Sequence, residues 1–513
     1  MSAPSIQPVK KLLIANRGEI AVRIQRSCRD LGIETVAVYS DADRNALHVR
    51  FANEAYALGG NTPAESYLRG DRILEIAQQC GADAIHPGFG FLAENGAFAE
   101  AVEAAGIRFV GPSSHAMAVM GDKLSSRQAM IAADVPVVPG NTEAVADATA
   151  AAVAAEEIGY PVMLKASAGG GGKGIRVVQS ADEIEAAFTT ASGEAQNAFG
   201  DGRMYLEKFL VEPRHIEIQV LGDLHGTVLH FGERECSLQR RHQKLIEEAP
   251  SPVIDEATRQ KMGAAAVAAA KAVNYHSAGT VEFLWSRGEF YFLEMNTRIQ
   301  VEHGITEEVY GVDLIAQMIR VAGGEQVDDL VGCVPRGHAI EVRLNAEDPD
   351  NQFLPSLGTI KNLRWPGGPG VRIDSGVYRS MEVTPYYDSM LAKLIAYGRD
   401  REQARRRMLR VLQELHVGGV KTSAGIALEL LQSEGFKSGN YDTGYLEKFM
   451  EERAEHDVER EIPDDLEEIA AIVAALHRQT TAARRVMTTD DGGGQKTNTW
   501  VAAARREQHG RSI

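Results

Sequence analysis

The stretch Glu294-Met295-Asn296-Thr297-Arg298-Ile299-Gln300-Val301-Glu302-His303 follows residues 279–293, an apolar and aromatic run rich in Val, Phe, Trp and Tyr. That composition predicts a strand pair whose end opens into a polar loop. On an extended backbone Glu294 and Asn296 point to one face while Met295 points into the core. Glu282, in the preceding strand Thr280-Val281-Glu282-Phe283-Leu284, is expected to face them across a turn at Ser286-Arg287-Gly288. Two carboxylates and an amide oxygen suit a hard cation, which beside nucleotide phosphates is Mg²⁺ or Mn²⁺. Arg298 then offers an anion clamp and Glu302 a general base. The plainer alternative is a surface charge network, but so many charged and amide groups beside an apolar strand end are costly unless something pairs with them.

A second motif strengthens the first. Lys165-Ala166-Ser167-Ala168-Gly169-Gly170-Gly171-Gly172-Lys173-Gly174 lies between two apolar segments, residues 160–164 and 175–178, and so predicts a hairpin tip. Its glycines free the backbone to turn N–H groups toward phosphate oxygens, with Lys173 adding charge. As a flap it would close over a nucleotide and exclude water. A plain flexible linker would have the same composition. It is not a Walker A loop, because no Gly-Lys-Ser/Thr opens a helix here.

Together with four further motifs, these stretches resemble the ATP-grasp enzymes and, within them, biotin carboxylase. The further motifs are Ile14-Ala15-Asn16-Arg17-Gly18-Glu19-Ile20-Ala21, His86-Pro87-Gly88-Phe89-Gly90-Phe91-Leu92-Ala93-Glu94-Asn95, Glu212-Pro213-Arg214-His215-Ile216-Glu217 and Gln239-Arg240-Arg241-His242-Gln243-Lys244. The resemblance runs from about residue 10 to 450. It implies an α/β fold: an N-terminal doubly wound parallel-sheet domain (1–120), an ATP-grasp domain (121–330) with a mobile lid (139–208), an α+β C-terminal domain (331–450), and a tail (451–513). It further implies ATP contacts at Lys123, Lys165, Gly169, Gly170, Gly171, Gly172, Lys173, Gly174, Glu207, His215, Gln239 and His242. Metal would lie on Glu282, Glu294 and Asn296, and bicarbonate on Lys244, Arg298, Gln300, Val301 and Glu302. Arg343 would meet the ureido oxygen of biotin. Glu302, Arg298, Arg343 and Lys244 are the expected catalytic set. Biotin would be a substrate carried on another chain, since no Ala-Met-Lys-Met sequence occurs here. The implied partners are a biotin carboxyl carrier protein and a carboxyltransferase subunit, within a homodimer or larger hetero-oligomer.

The rest of the chain is consistent with that reading. A length of 513 residues asks for several domains. With 44% hydrophobic and 24% charged residues the composition is that of a soluble globular protein. A net charge of −17 disfavours nucleic-acid binding. Cys28, Cys80, Cys236 and Cys333 form no CxxC pair, so neither zinc nor a disulfide framework is expected and a reduced cytoplasm fits. Residues 1–11 lack a signal-peptide core, and no apolar run reaches the length of a membrane span.

From Lys11 the apolar segments alternate with helical ones, which predicts parallel βαβ units. The first strand-to-helix turn lacks Gly-x-Gly-x-x-Gly, so a dinucleotide site is not expected. The His86 to Asn95 loop is either a Pro-held turn or a substrate contact. Residues 338–349 read as a strand with Glu341 and Arg343 on one face. In the tail, Leu466, Ile469, Val473 and Leu476 make one apolar helical stripe, followed by a Gly-rich linker at 492–494, and the expectation is either self-packing or docking to a partner. Two other classes remain: another ATP-grasp ligase, which would share the flap and metal carboxylates but not the Arg298 to Glu302 spacing or Arg343, and a non-catalytic nucleotide-binding regulator, which would lack Glu294 or Glu302.

Overall fold

In the computed structural model, strands Lys11–Ile14, Glu34–Tyr39, Glu54–Ala57, Ala84–His86 and Arg108–Phe109 form one parallel sheet in the spatial order third, second, first, fourth, fifth. The structure describes residues 6–141, 143–166, 174–241 and 243–459. Leu12, Leu13 and Ile14 are all buried because helices cover both faces of this sheet, which is why the strand reads as unbroken apolar sequence. Helix Gly18–Asp30 follows the first strand. Asn16, in the turn between them, donates to the carbonyls of Pro87 and Phe89, both at 2.7 Å, and so fastens the His86 loop. Asn95 then caps helix Gly96–Ala104 by accepting from the Phe98 N–H.

A second sheet of eight antiparallel strands carries the centre of the molecule. Its order is Glu289–Asn296, Ser277–Ser286, Arg214–Gly222, Val228–Arg240, Gln243–Ala249, His338–Asn345, Met390–Gly398 and Val371–Ser375. Residues on both sides of position 330 therefore share one hydrogen-bonded ladder, because Gln243–Ala249 pairs with His338–Asn345. One face of the first strands packs on helices: Ile216, Ile218, Val220, Val281, Phe283 and Met295 form an apolar cluster with helix Glu256–Ala272. Met295 points inward as its alternation with Glu294 and Asn296 requires.

A third sheet, Ile175–Val178, Val162–Ala166 and Met204–Lys208, has its own small core with helices Ala148–Ile158 and Ile184–Phe199. The first two strands pair antiparallel, giving the hairpin expected around the glycine flap. Helix Lys123–Ala132 is capped by Asp122, whose side chain accepts from Ser125 N–H at 2.7 Å. Helix Tyr445–Glu459 ends the described chain, so the apolar stripe and Gly-rich linker of the tail lie outside the described residues. No helix among the described residues is long and apolar enough to cross a membrane.

Candidate active site

The face of the eight-stranded sheet opposite that apolar cluster is lined by charge. On strand Arg214–Gly222, His215, Glu217 and Gln219 alternate with Ile216, Ile218 and Val220, and all six are buried. A charged row inside a sheet is costly unless its groups are satisfied. Arg234, 0% exposed on the neighbouring strand, satisfies it. Its Nε donates to Glu217 Oε1 at 2.5 Å, its Nη1 to Gln219 Oε1 at 2.6 Å and Thr306 Oγ1 at 2.9 Å, and its Nη2 to Thr280 Oγ1 at 3.0 Å and Gln300 Oε1 at 2.9 Å. These use the five donors a guanidinium possesses.

Next to this hub, Lys244 Nζ reaches Glu217 Oε2 at 2.6 Å, Glu302 Oε1 at 2.5 Å and Glu282 Oε1 at 3.3 Å. Glu302 stands immediately before helix His303–Tyr310, and its second oxygen accepts from Arg343 Nη2 at 2.9 Å. Burial alone would raise the Glu302 carboxyl, but Lys244, Arg343 and Arg234 outweigh it and hold the group well below the ordinary range. Burial likewise works against charge on Lys244, and surrounding Cys236 and carboxylates reverse it, so the ammonium stays protonated. Glu282 Oε1 also accepts from Gln300 Nε2 at 2.6 Å and Asn296 Nδ2 at 2.9 Å, while its Oε2 lies 2.9 Å from His215 Nε2. That pairing overcomes burial and raises the His215 imidazole above its usual value.

Glu282 and Glu294 are direct partners across the strand pair. Glu294 is at the solvent-facing rim, where desolvation and the Glu282 carboxylate raise its affinity for a proton. The same repulsion is relieved by a divalent cation, and carboxylate and amide oxygens are the donors Mg²⁺ and Mn²⁺ prefer. Glu282, Glu294 and Asn296 therefore fit such an ion. Two tighter groups, His215 with Glu217 and Glu282, and Glu217 with Cys236 and Glu302, also have ligand spacing. Lys244 bonds Glu217, Glu282 and Glu302 and so already supplies the cation these groups face.

Arg298 is fixed from two sides: its Nε donates to Glu94 Oε2 at 2.9 Å and its Nη2 to Asn296 Oδ1 at 2.7 Å. The Val301 carbonyl accepts from the buried Lys393 at 2.7 Å. Hydrogen bonds thus link Lys244, Glu302, Arg343, Glu282, Asn296, Arg298 and Gln300 into one cluster, with His215 beside it. Lys165 and Glu207 form a separate pair at 2.5 Å, which Arg127 joins at 3.1 Å from Glu207. Burial and then the Lys165 ammonium lower the Lys123 pKa, against the pull of Glu294 and Glu207. Gln239 is the register partner of Lys244 on the adjoining strand. Gly174 has φ +70 and returns the chain to strand Ile175–Val178. Gly169, Gly170, Gly171, Gly172, Lys173 and His242 lie outside the described residues.

Sequence reasoning passed over Arg234, Glu247 and Arg127, and gave Glu94 no role of its own within the His86 to Asn95 motif. The available signal for Arg234 was its place in Glu233-Arg234-Glu235, a charged run enclosed by Phe231 and by Cys236 and Leu238 in what is otherwise a buried strand.

A polar sheet face beside a small three-stranded lid is the arrangement of an ATP-grasp enzyme, and residues 122–330 match the family described as carbamoyl-phosphate synthase L chain, ATP binding domain. Residues 8–117 match the biotin carboxylase N-terminal domain and residues 341–448 the biotin carboxylase C-terminal domain. The chain is 52% identical over 444 residues to biotin carboxylase 1 of Bacillus subtilis, covering 86% of this chain and 99% of that one. It is 49% identical over 445 residues to the biotin carboxylase of Pseudomonas aeruginosa, covering 86% and 98% respectively. A solved biotin carboxylase domain dimer of the 2-oxoglutarate carboxylase from Hydrogenobacter thermophilus, in complex with MgADP, ADP and bicarbonate, superposes with a TM-score of 0.81 at 47% identity, covering 86% of this chain and 98% of that one. The chain belongs to the biotin carboxylase family.

Proposed function

We propose that this chain uses ATP and bicarbonate to carboxylate biotin on a separate carrier protein, the first half-reaction of an acyl-CoA carboxylase type of enzyme. The observation that carries this reading is the buried set Lys244, Glu302 and Arg343, in which one carboxylate is shared by two cations from different strands. Lys123, Lys165, Glu207, His215, Gln239, His242 and the glycine flap from Gly169 to Gly174 bind the nucleotide. Glu282 and Glu294, with Asn296 in support, would hold Mg²⁺ or Mn²⁺, which when bound would neutralise phosphate charge. Arg298 and Lys244 clamp bicarbonate, with Gln300 and the Val301 backbone as further partners.

Glu302 takes the bicarbonate proton, so that a bicarbonate oxygen attacks the γ-phosphorus and ADP departs, leaving carboxyphosphate. Carboxyphosphate breaks into CO₂ and phosphate; the phosphate accepts the biotin N1 proton, and N1 bonds to CO₂. Arg343 stabilises the negative charge that develops on the ureido oxygen. A base held so far below its ordinary range is weak, and bicarbonate and biotin overcome this by competing for Lys244 and Arg343, which returns basicity to Glu302. Three segments divide the work: 1–120 and 331–450 shape the cleft around the ATP-binding 121–330 with its lid at 139–208. Carrier and carboxyltransferase chains complete the enzyme in the cytoplasm. ATP turnover by the isolated chain tests the reading: it requires bicarbonate and rises with free biotin, whereas turnover indifferent to both would overturn it.

A further inference from the structure

Behind Arg343 the sheet carries two carboxyl groups that the carboxylation scheme leaves unused. Glu247 and Glu341 are register partners on adjacent antiparallel strands. Such partners stand on one face with Cβ atoms about 5 Å apart. Both residues are 0% exposed. Glu247 Oε1 accepts from Arg343 Nε at 2.6 Å. Its Oε2 and both oxygens of Glu341 have no hydrogen-bond partner among the described residues.

Every neighbouring cation is already matched. Arg343 serves Glu247 and Glu302, and Lys244 serves Glu302, Glu217 and Glu282. Lys393, opposite Arg343 on the next strand, lies 3.5 Å from Glu19 and 3.9 Å from Asp374. Arg372 is bound to Glu307 and Asp374. From helix His303–Tyr310 the facing residue is Gly304, where an added Cβ would lie 3.5 Å from Glu341 Oε2. Two ionised carboxylates here would leave one buried charge uncompensated, which is strongly destabilising. A single proton between them removes the excess. Burial first, and then the neighbouring carboxylates, push Glu247 up to about 7 and Glu341 well above the carboxylate range, against the pull of Arg343 and Lys393.

We propose that Glu341 is a positioning residue for Arg343: as the neutral acid it donates a hydrogen bond to Glu247 Oε2, which fixes Glu247 with its other oxygen aimed at Arg343 Nε. The inference rests on the proposed function, because Arg343 is there the group that meets biotin. Deprotonation at high pH turns the donor into a second anion and loosens the anchor, so biotin binding weakens on the alkaline side.

The full chain is assayed with free biotin as wild type, Glu341→Gln and Glu341→Leu. Gln keeps a neutral donor and is expected to hold the biotin KM within about twofold of wild type while abolishing its alkaline rise. Leu removes the donor, strands Glu247 Oε2, and is expected to raise the biotin KM about tenfold while shifting the ATP KM far less. Infrared difference spectra supply a reading independent of catalysis and of whether the Leu variant folds: other buried acids such as Glu19 absorb in both proteins, and wild type minus Glu341→Gln shows the loss of one carbonyl stretch of a buried protonated carboxyl group. A Gln variant as impaired as Leu, or a spectrum in which that band does not change, overturns the proposal. ATP turnover that ignores bicarbonate and biotin in wild type overturns the functional reading instead, and the infrared band still decides the shared proton.

Discussion

Glu94 accepts a hydrogen bond from Arg298 at 2.9 Å across 204 residues of chain, and its other oxygen accepts from the Thr297 N–H at 3.1 Å. The loop after the fourth parallel strand therefore bonds the arginine proposed to clamp bicarbonate, a contact that neither reading of that motif, plain turn or substrate contact, contained. The pair is partly exposed, with the Glu94 side chain at 43%. Such pairs are worth about 1 kcal/mol or less, so Glu94→Ala is expected to raise the bicarbonate KM by about fivefold at most, with kcat little changed. Initial rates at varied bicarbonate check it, and a collapse of kcat would mean that Glu94 does more than hold Arg298.

Glu302→Gln keeps the shape of the side chain and removes the base. Carboxylation is expected to fall about 100-fold or more while nucleotide affinity changes little. Calorimetric titration with ADP beside the rate assay separates the two effects, and lost nucleotide binding would make Glu302 structural.

Arg234→Lys keeps one charge but replaces a five-donor fork by three donors on a flexible stem. Glu217, Gln219, Thr280, Gln300 and Thr306 cannot then all be satisfied. Each buried acceptor left without its donor costs about 1–3 kcal/mol, so the urea midpoint is expected to drop clearly even with ligands absent. A variant as stable as wild type would show that the hub is dispensable.

His48 and His86 are buried, and burial lowers them from the ordinary 6.5 to about 4 and about 3. Both are neutral in the folded chain, while the unfolded chain binds protons once the pH falls below 6.5. The stability they contribute is therefore complete above 6.5 and is lost as the pH falls through that value toward 4, at about 1.4 kcal/mol per pH unit for each group. Glu248, which burial raises but His338 and Arg401 bring down to about 2, adds its loss only at lower pH, below about 4.5. Glu247, raised to about 7, opposes the histidines in this window, so urea titrations between pH 7 and 5 compare wild type with His48→Gln and His86→Gln: each variant is expected to lose less stability on acidification, and equal losses contradict the prediction.

Much of the polar strand end was legible because it depends on local periodicity. The turn at Ser286 to Gly288 and the alternation of Glu294 with Met295 and Asn296 made the strand pair legible, but the pairing of Glu282 with Glu294 depends on a register shift between Glu282 and Phe283 that alternation does not foretell, since without it Glu282 would meet Leu293. Arg234 was not legible, because a charge inside a strand reads as a solvated face until partners arrive from elsewhere, and here Gln300 and Thr306 come from 66 and 72 residues away. The same holds for Glu94 with Arg298, and for Glu247, whose partner Arg343 is 96 residues on. Nothing in local sequence encodes such pairings.

The ladder between Gln243–Ala249 and His338–Asn345 has a consequence for how this chain tolerates insertion and deletion. Lys244 and Glu247 stand on one strand, Glu341 and Arg343 on the other, and the backbone ladder sets Glu247 directly opposite Glu341. Gaining or losing one residue inside either strand would turn the side chains beyond it to the opposite face and so take Glu247 or Glu341 out of the site. Changes in length are therefore admissible in the loops that leave this sheet and lethal to the site within it.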